Sequence, residues 1–345
     1  HQNTAVRETF ANISLNYQLL PSLKLSMLYS YQRAYQPTES WRGIASVQQR
    51  EWLNYHTAWN GEGVTFHYPV GDYLNKLHRT NKSQQGRMQV NWNREWKGKH
   101  RLDAIVGAEF RTVSSNMISS VFYGYDPEYL TFQPVEYGKR VPYLNGIAGS
   151  TALIDASQIE AYENRYVSYF SNVAYAYRDR YTLSASVRKD ASNIFVVKSN
   201  DKGQPFWSLG ASWLLSEEQF LKNKAIDMLK LRATYGYNGN VNNSVAAYPI
   251  IYLSTSPHYV TGQGYASIQS PPNPKLRWER VGMWNFGLDF SMLRSRLSGA
   301  IEYYIKKPKD LIAAGEVDPT TGFASLTINS GNLDGRGVDV MLNST

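Results

Sequence analysis

The chain has 345 residues and no cysteine, and its 36 lysines and arginines outnumber its 28 aspartates and glutamates to give a formal net charge of +8. The lack of cysteine excludes thiol catalysis, disulfide bonds and cysteine-ligated zinc within these residues. No apolar run approaches the roughly 18 residues of a transmembrane helix. The basic residues are scattered through turns instead of forming one patch, so the charge favours solvated turns and lipid headgroup contacts over nucleic acid.

Apolar and polar residues alternate along most of the chain. In residues 181–188, Tyr, Leu, Ala and Val occupy the odd positions, and Thr, Ser, Ser and Arg occupy the even ones. Because successive side chains of a strand point to opposite faces, this pattern predicts a strand with one apolar and one polar face. It recurs in about twelve segments, most of them near the roughly 9–11 residues that cross a bilayer at a tilt. In chain order, the predicted strands are 12–19, 23–32, 87–93, 102–111, 167–177, 181–188, 207–213, 230–237, 284–292, 297–305, 326–328 and 338–342.

The connections between these strands alternate in length. The short turns are 20–22, 96–99, 178–180, 293–295 and 332–334, and the long loops are 33–82, 113–163, 189–204, 238–277 and 306–322. One exception on the short side, 216–228, is predicted to form a small helical turn with Ser216 as its N-cap and Glu217 and Glu218 in its first turn. Outer-membrane barrels have short periplasmic turns and longer extracellular loops. The sequence therefore predicts an all-β fold, an antiparallel transmembrane β-barrel segment.

A barrel strand has one face toward lipid and one toward a wet lumen. In the strand 181–188, this assigns Ser184 and Ser186 to the lumen. The 26 tyrosines and 9 tryptophans suit the aromatic girdles found at both membrane interfaces. The residues predicted to face lipid are Leu183, Ala185, Val187, Leu209, Trp213, Leu231, Phe286, Leu288 and Phe290.

Four blocks of sequence resemble the SusC/RagA branch of the TonB-dependent outer-membrane transporters. The blocks are 181–192, with Arg-Lys-Asp after the strand; 205–220 followed by 229–240; 273–280, Asn-Pro-Lys-Leu-Arg-Trp-Glu-Arg, leading into 285–290, 297–304 and 309–312; and 329–339, Asn-Ser-Gly-Asn-Leu-Asp-Gly-Arg-Gly-Val-Asp. The resemblance is dense from about 164 to 342, and residues 1–163 share the strand pattern only. The departures lie in turns and loops: Ala191 replaces a usual glycine, 195–202 is irregular, and Gly335-Arg-Gly stands where Asn-Lys-Gly is common.

The resemblance implies a plugged barrel of about 22 strands, of which residues 1–345 form a single segment of about twelve. The plug domain, the signal peptide and the final strands would lie outside this chain. The resemblance also implies the bacterial outer membrane, TonB as the energy source through a segment outside this chain, and a SusD-like surface lipoprotein as partner. The implied activity is import of oligosaccharide or peptide without covalent chemistry or a cofactor. The residues leave open a surface adhesin or a carbohydrate-binding β protein without transport.

Signals of catalysis and of metal binding are weak. The groups considered are Glu217 with Glu218, Asp126 with Glu128, the histidines His56, His67 and His78, and Gly262-Gln-Gly264. Adjacent helical carboxylates point apart, and nothing places the loop pair at the separation of glycosidase carboxylates. The histidines lie in one predicted loop at a spacing unlike that of metal ligands, and no helix follows the glycines. The sequence therefore predicts neither an enzyme nor a bound metal.

The two longest predicted loops are rich in aromatic residues. Binding residues concentrate on loops held by a rigid scaffold, and aromatic faces suit sugar rings and peptide side chains. The competing interpretation is that these rings pack within the loops or against a capping partner. The candidates for contact with cargo or partner are Trp41, Trp52, Trp59, Tyr68, Tyr123, Tyr125 and Tyr129.

Overall fold

A computed structural model describes residues 1–59, 61–153, 155–193, 203–221, 225–240, 247–254, 258, 260–323 and 325–344. In this part of the chain the one α-helix is α1 (Val47–Tyr55), and short 3-10 helices cover Leu215–Glu217, Gln219–Leu221 and Pro319–Thr321. None of these helices is long and apolar enough to cross a membrane. The strands are β1 (Gln2–Thr4), β2 (Arg7–Leu20), β3 (Leu23–Arg42), β4 (Thr57–Trp59), β5 (Val64–Phe66), β6 (Asp72–Trp96), β7 (His100–Tyr125), β8 (Arg140–Pro142), β9 (Ser150–Ala152), β10 (Gln158–Tyr177), β11 (Tyr181–Ser192), β12 (Gly203–Leu214), β13 (Ile226–Asn240), β14 (Ile250–Leu253), β15 (Ala266–Ser270), β16 (Glu279–Met292), β17 (Leu297–Lys309), β18 (Leu311–Glu316), β19 (Ser325–Gly331) and β20 (Gly335–Ser344).

Twelve strands form one sheet in the order β1-β3-β6-β7-β10-β11-β12-β13-β16-β17-β20, and β2 pairs with β3 beside β1. The pairs from β10 to β20 are antiparallel. The remaining strands form four separate two-stranded sheets, β4-β5, β8-β9, β14-β15 and β18-β19, within the long connections. The predicted all-β antiparallel sheet of about twelve strands is confirmed. Within the described residues it is open, with one edge at β2 and the other at β20.

Four of the predicted short turns are confirmed. They join β2 to β3, β6 to β7, β10 to β11 and β16 to β17. The connection after β12 does hold short 3-10 helices, but Ser216 is not an N-cap. The cap position is Leu214, which offers no side-chain hydrogen bond, and Ser216 lies inside the first helix. A serine beside glutamates is a weak signal when the helix has a single turn, because few backbone N–H groups need a cap.

The predicted membrane strand 326–328 is wrong. These residues lie in β19, which pairs with β18 outside the twelve-stranded sheet. The strand that continues the sheet after β17 is β20, with Ile301 opposite Val340. Alternation identified β19 as a strand, but a period of two does not specify the partner. The connection from β17 to β20 is therefore long and ends on the same side as the other long connections.

Several strands extend further than predicted. β3 continues to Arg42, β6 begins at Asp72, β7 continues to Tyr125 and β10 begins at Gln158, so the predicted loops 33–82 and 113–163 are shorter. His78 therefore lies on β6 and not in a loop. Where both faces of a strand meet polar surroundings, the backbone ladder persists but the alternation that reveals it fades.

The chain divides into two compact units. The first comprises residues 1–11, 30–84 and 112–163, and the second comprises 12–29, 85–111 and 164–345. The buried core of the first unit consists of Leu53, Tyr68, Val121, Tyr123 and Leu153. The buried core of the second unit consists of Phe206, Ala247, Leu276 and Trp278.

In the second unit, the register separates the sheet into two chemically different faces. One row across the strands is Leu183, Ala211, Ala233, Phe286, Tyr303 and Val338. The next row, one residue along, is Ser184, Gly210, Thr234, Asn285, Tyr304 and Gly337. Adjacent rows point to opposite faces, which we call the apolar face and the polar face.

The nine residues predicted to face lipid all lie on the apolar face. Leu183 is 60% exposed and Leu209 is 56% exposed. So large an apolar surface is unfavourable in water and favourable against hydrocarbon. Contact of these side chains with lipid stays a prediction, and substitution can test it.

Leu209→Arg is expected to lower the free energy of unfolding by about 2–4 kcal/mol, because it places a cation in the hydrocarbon region. Ser184→Arg, on the polar face of the neighbouring strand, serves as the control and should change it little. Denaturant titration of the full-length protein in lipid vesicles measures both. Equal losses would contradict the assignment of the two faces.

Candidate functional site

An ion-pair network crosses the middle of the polar face. Arg232 on β13 donates two hydrogen bonds of 2.7 Å to the two carboxylate oxygens of Asp289 on β16. It also donates one of 2.7 Å to Glu302 on β17, whose other oxygen accepts one of 3.0 Å from Asn285. Bidentate pairing of this kind is stronger and more directional than contact between neutral groups. The network ties three consecutive strands together through their side chains.

Because Gly287 has no side chain, the side chain of Arg232 can extend across β16 to Glu302 on β17. In the register, Gly287 lies between Arg232 and Glu302. A Cβ added at Gly287 would lie 3.0 Å from the guanidinium carbon of Arg232. A Cβ here would therefore crowd the guanidinium of Arg232, which would have to shift by a few tenths of an ångström beside its carboxylate partners.

A cavity of about 440 Å³ opens on the polar face toward the long-loop ends of β10 to β13. The ring of Phe170, the guanidinium of Arg188 and the ring of Phe206 follow one another across it in register. Arg188 is held in place by bonds of 2.6 Å to Asp190 and 2.8 Å to Ser168. Around them the cavity is lined by Asn172, Ser186, Ser208 and Asn238.

Each of the two rings of this cavity occupies the space that a side chain would need at a neighbouring glycine. An added Cβ at Gly107 would overlap the ring of Phe170, and one at Gly239 would overlap the ring of Phe206. Phe206 also packs edge-on against Trp278, with ring centroids 5.9 Å apart. The cavity thus combines the half-buried ring of Phe170 and the buried ring of Phe206 with one held cation and several amide and hydroxyl groups. These are the groups that bind sugar rings or a peptide backbone.

Two of the sequence blocks meet at the long-loop side of the second unit. Asn329 accepts a hydrogen bond of 2.9 Å from the backbone N–H of Arg277 and donates bonds of 2.8 and 2.7 Å to the carbonyls of Arg277 and Asp310. Asn273 donates a bond of 2.6 Å to the carbonyl of Thr327. These asparagines fasten the segment 273–278 to the β18-β19 hairpin, so their role is structural.

Asp310 also binds the segment that contains Arg277 and Arg280. Its carboxylate accepts bonds from Arg277 at 2.5 Å and from Arg280 at 2.9 and 2.5 Å. The hydrogen bond from Arg277, followed by the one from Arg280, holds the pKa of Asp310 below its usual value. Asp310 has a φ of 59°, in the left-handed region that aspartate and asparagine tolerate better than most residues.

Within the first unit, aromatic residues of α1, of β7 and of the connections between them form a packed cluster. The helix α1 begins after Ser46, whose side chain accepts a hydrogen bond from the backbone N–H of Gln49. At its end, His56 is fully buried and stacks on Trp52, with ring centroids 5.3 Å apart. Tyr68 packs against both His56 and Tyr123 at 5.5 Å. Burial raises the pKa of Tyr68 well above its usual value.

The candidate loop aromatics divide by exposure. Tyr68 and Tyr123 are buried, and Tyr123 lies on β7 and not in a loop as predicted, so packing within the first unit is favoured for these two. Trp41 donates a hydrogen bond of 2.8 Å to Asp72, and Tyr125 is half-buried. The rings most available to a ligand or a partner are Trp52, Trp59 and Tyr129, at 44%, 57% and 70% exposed. Contact of any of these seven residues with cargo or partner stays a prediction.

The candidate acid/base groups have structural partners. Asp126 accepts hydrogen bonds from the backbone N–H groups of Glu128 and Tyr129. Glu218 accepts bonds of 2.5 Å from the hydroxyl of Tyr181 and 3.2 Å from the indole of Trp213, which lower its pKa in that order. Glu218 therefore fixes aromatic residues and does not lie in the first turn of a helix as predicted. Across the described residues, no cluster of three or more His, Cys, Asp or Glu side chains is placed to hold a metal.

Residues 3–345 match the family model described as TonB dependent receptor-like, beta-barrel. The chain belongs to this family. It is 28% identical over 97% of its length to TonB-dependent receptor P26 of Formosa agariphila, and 35% identical over 53% of its length to TonB-dependent receptor SusC of Bacteroides thetaiotaomicron. Among solved structures, the RagAB peptide importer in its closed-closed state superposes with a TM-score of 0.78 over 99% of the chain at 20% identity, which shows a shared fold.

The chain spans only part of these relatives, covering 33% of P26, 19% of SusC and 34% of the RagAB chain. As a member of the TonB-dependent receptor family with a SusC- and RagA-like fold, it is an outer-membrane protein whose β-strands cross the bilayer. These relatives are receptors and transporters, not enzymes.

The sequence alone does not predict the cavity on the polar face of this receptor barrel. The signal was present in the even positions of 181–188 and in the Arg188-Lys-Asp190 block. Phe170 and Phe206, however, break the rule that the inner face is polar. Only the register shows that both rings lie beside Arg188.

Gly287→Val is expected to displace Arg232 and to lower the free energy of unfolding by about 1.5–3 kcal/mol, the loss typical of a hydrogen bond to a charged group. Denaturant titration in vesicles checks it. The control is Gly335→Val, because the nearest atom to an added Cβ at Gly335 is 4.0 Å away. If Gly287→Val and Gly335→Val change the free energy of unfolding equally, Arg232 keeps its carboxylate partners without a glycine at position 287.

The ion pairs of Asp310 with Arg277 and Arg280 should be lost in acid, when the carboxylate is protonated. Because its pKa is lowered in the folded state, the stability it contributes is present above the ordinary aspartate pKa of about 3.9 and is lost as the pH falls through the lower folded value. Pulsed hydrogen exchange should show β18 and β19 protected at pH 5–7 and exposed in stronger acid.

Asp310→Asn is expected to remove this acid-dependent step and to lower protection of β18 and β19 at every pH. Asp334→Asn, at an exposed aspartate in the same connection, is the control. An acid step that persists in Asp310→Asn would assign the effect to another group.

Proposed function

We propose that this chain is the barrel segment of a TonB-dependent importer that takes up oligosaccharides or short peptides without covalent chemistry. The observation that carries the proposal is the cavity on the polar face. There the half-buried ring of Phe170 and the guanidinium of Arg188 lie in register with the buried ring of Phe206, among the amide groups of Asn172 and Asn238 and two serine hydroxyl groups. The same face forms the inner wall of a receptor barrel, so cargo that passes through the lumen meets this cavity.

The open edges of the sheet support a larger barrel. β2 and β20 are 14 and 10 residues long, and each has one edge without a strand partner among the described residues. Backbone N–H and C=O groups in hydrocarbon must be hydrogen-bonded, so a membrane sheet has to close. We infer that further strands of a longer polypeptide complete a barrel of about 22 strands and that a plug domain fills it.

The proposed partners are TonB, which would act through a segment outside this chain, and a SusD-like surface lipoprotein at the long-loop side. The exposed aromatic rings Trp52, Trp59 and Tyr129 offer apolar surface within the long connections of the first unit. Aromatic residues of this kind are enriched at protein interfaces. The names of the relatives support TonB dependence, and the RagAB fold supports a two-component importer of this type.

Uptake by cells that carry the full-length receptor tests the proposal. The probes are a labelled oligosaccharide hydrolysate and a labelled casein digest, each supplied as the limiting nutrient. Uptake of one of the two should depend on both the receptor and TonB. Binding to the cell surface without TonB-dependent uptake would contradict import and favour an adhesin or a carbohydrate-binding protein.

Arg188→Gln combined with Asn238→Ala is expected to reduce uptake of the transported probe about tenfold, because loss of a charge-assisted hydrogen bond costs about 1.5–3 kcal/mol. The amount of folded barrel, measured by heat-modifiable mobility in gels, should not change. Lys306→Gln is the control, since Lys306 lies over the ring of Tyr304 on the polar face outside the cavity. Equal uptake by both variants would remove the cavity from the path of the cargo.

A further inference from the structure

An open apolar groove crosses the apolar face of the second unit. Two depressions of about 580 and 590 Å³ share Leu183, Ala211 and Ala233. Ala211 and Ala233 lie opposite one another on β12 and β13. Their row continues into Leu183 on one side and Phe286 on the other. Two methyl groups therefore form the floor of the groove, and larger side chains form its walls.

Each end of the groove has a stacked aromatic pair. Tyr181 and Trp213 stack at 6.0 Å at the short-turn end, and Tyr235 and Trp284 stack at 4.3 Å at the other. The two pairs are four residues apart along the strands, which is about 13 Å at the rise of a β-strand. The polar residues beside the groove, such as Thr182 and Ser212, have side chains that point to the polar face, because successive residues of a strand alternate. An elongated apolar chain matches this lining.

Two cations lie in turns beside the short-turn end of the groove. Arg178 lies with its guanidinium 5.2 Å from the ring centroid of Tyr177, which stacks on Tyr181. The backbone N–H of Arg178 donates a bond of 2.6 Å to the carbonyl of Lys99, so the two turns that carry these residues are joined. Arg178 and Lys99 are both exposed.

The acidic groups beside these cations are already paired. Asp179 pairs with Arg101 at 3.0 Å, and Glu218 binds Tyr181 and Arg180. Arg178 and Lys99 take part in neither of these ion pairs. Because short turns of outer-membrane barrels are periplasmic, these cations lie at the headgroup level of the inner leaflet.

We propose that this groove is a binding site for one anionic phospholipid of the inner leaflet. One acyl chain lies over Ala211 and Ala233 between the aromatic pairs, and the phosphate is bound by Arg178 and Lys99. The lipid is neither cargo nor a substrate. It holds the outer wall of β11 to β16 to the inner leaflet, so the site is separate from the cavity on the polar face.

Lipid retention by the purified full-length receptor tests the site. The probes are phosphatidylglycerol and phosphatidylcholine, added to delipidated receptor in detergent and counted by native mass spectrometry. The wild-type receptor should retain one phosphatidylglycerol with about tenfold preference over phosphatidylcholine. Ala211→Phe combined with Ala233→Phe fills the groove without adding polarity and should weaken retention at least tenfold.

Two further variants separate the contribution of the cations from that of the apolar groove. Arg178→Gln combined with Lys99→Gln should abolish the preference for phosphatidylglycerol while leaving binding of phosphatidylcholine unchanged. Val340→Phe is the matched control, because Val340 is an exposed apolar residue on the same face that lines neither depression. It should behave as the wild type, and heat-modifiable mobility should be the same in all variants.

Three results would overturn the proposal. The first is retention of phosphatidylglycerol by the filled groove at the wild-type level. The second is equal retention of the two lipids by the wild-type receptor. The third is a wild-type particle of twice the mass that becomes single in the Ala211→Phe and Ala233→Phe variant, because the groove would then be covered by a second copy of the chain.

Discussion

The structure depends on the backbone hydrogen-bond ladder of one antiparallel sheet. In a bilayer, each backbone N–H and C=O group must find its partner within the protein. The ladder meets this need and, because side chains alternate along a strand, it also assigns every residue to one of two faces. The row that contains Leu183 becomes apolar across six strands, and the row that contains Ser184 consists of polar residues and glycine. Both proposed binding sites follow from this division.

On the polar face, glycines and paired charges hold the larger side chains in defined positions. Gly287 leaves room for Arg232 to reach carboxylates on two strands, and Gly107 and Gly239 leave room for the rings of Phe170 and Phe206. Side chains that lie along a sheet need such gaps, because adjacent strands are only about 4.8 Å apart. The glycines therefore determine where a cation or a ring can lie, and through that the shape of the cavity.

The long connections are structured by two different means. In the first unit, an apolar and aromatic core forms around His56 and Tyr68. In the second unit, asparagine side chains bind backbone groups, and Asp310 binds two arginines. Sequence blocks that resemble the family thus contribute to loop structure at Asn273 and Asn329, while Arg188 of another block lines the cavity. Resemblance alone did not separate these roles.

The sequence by itself determined the strands, their faces and most of the short turns, because alternation and turn residues are local signals. It also indicated the family through the blocks between residues 181 and 339. Only the tertiary structure decided that β19 pairs with β18 and that His78 lies on a strand, since partner choice and ladder length depend on distant residues. In the same way, the cavity at Arg188 and the groove over Ala211 and Ala233 exist only when separate strands are in register, and no single segment contains either site.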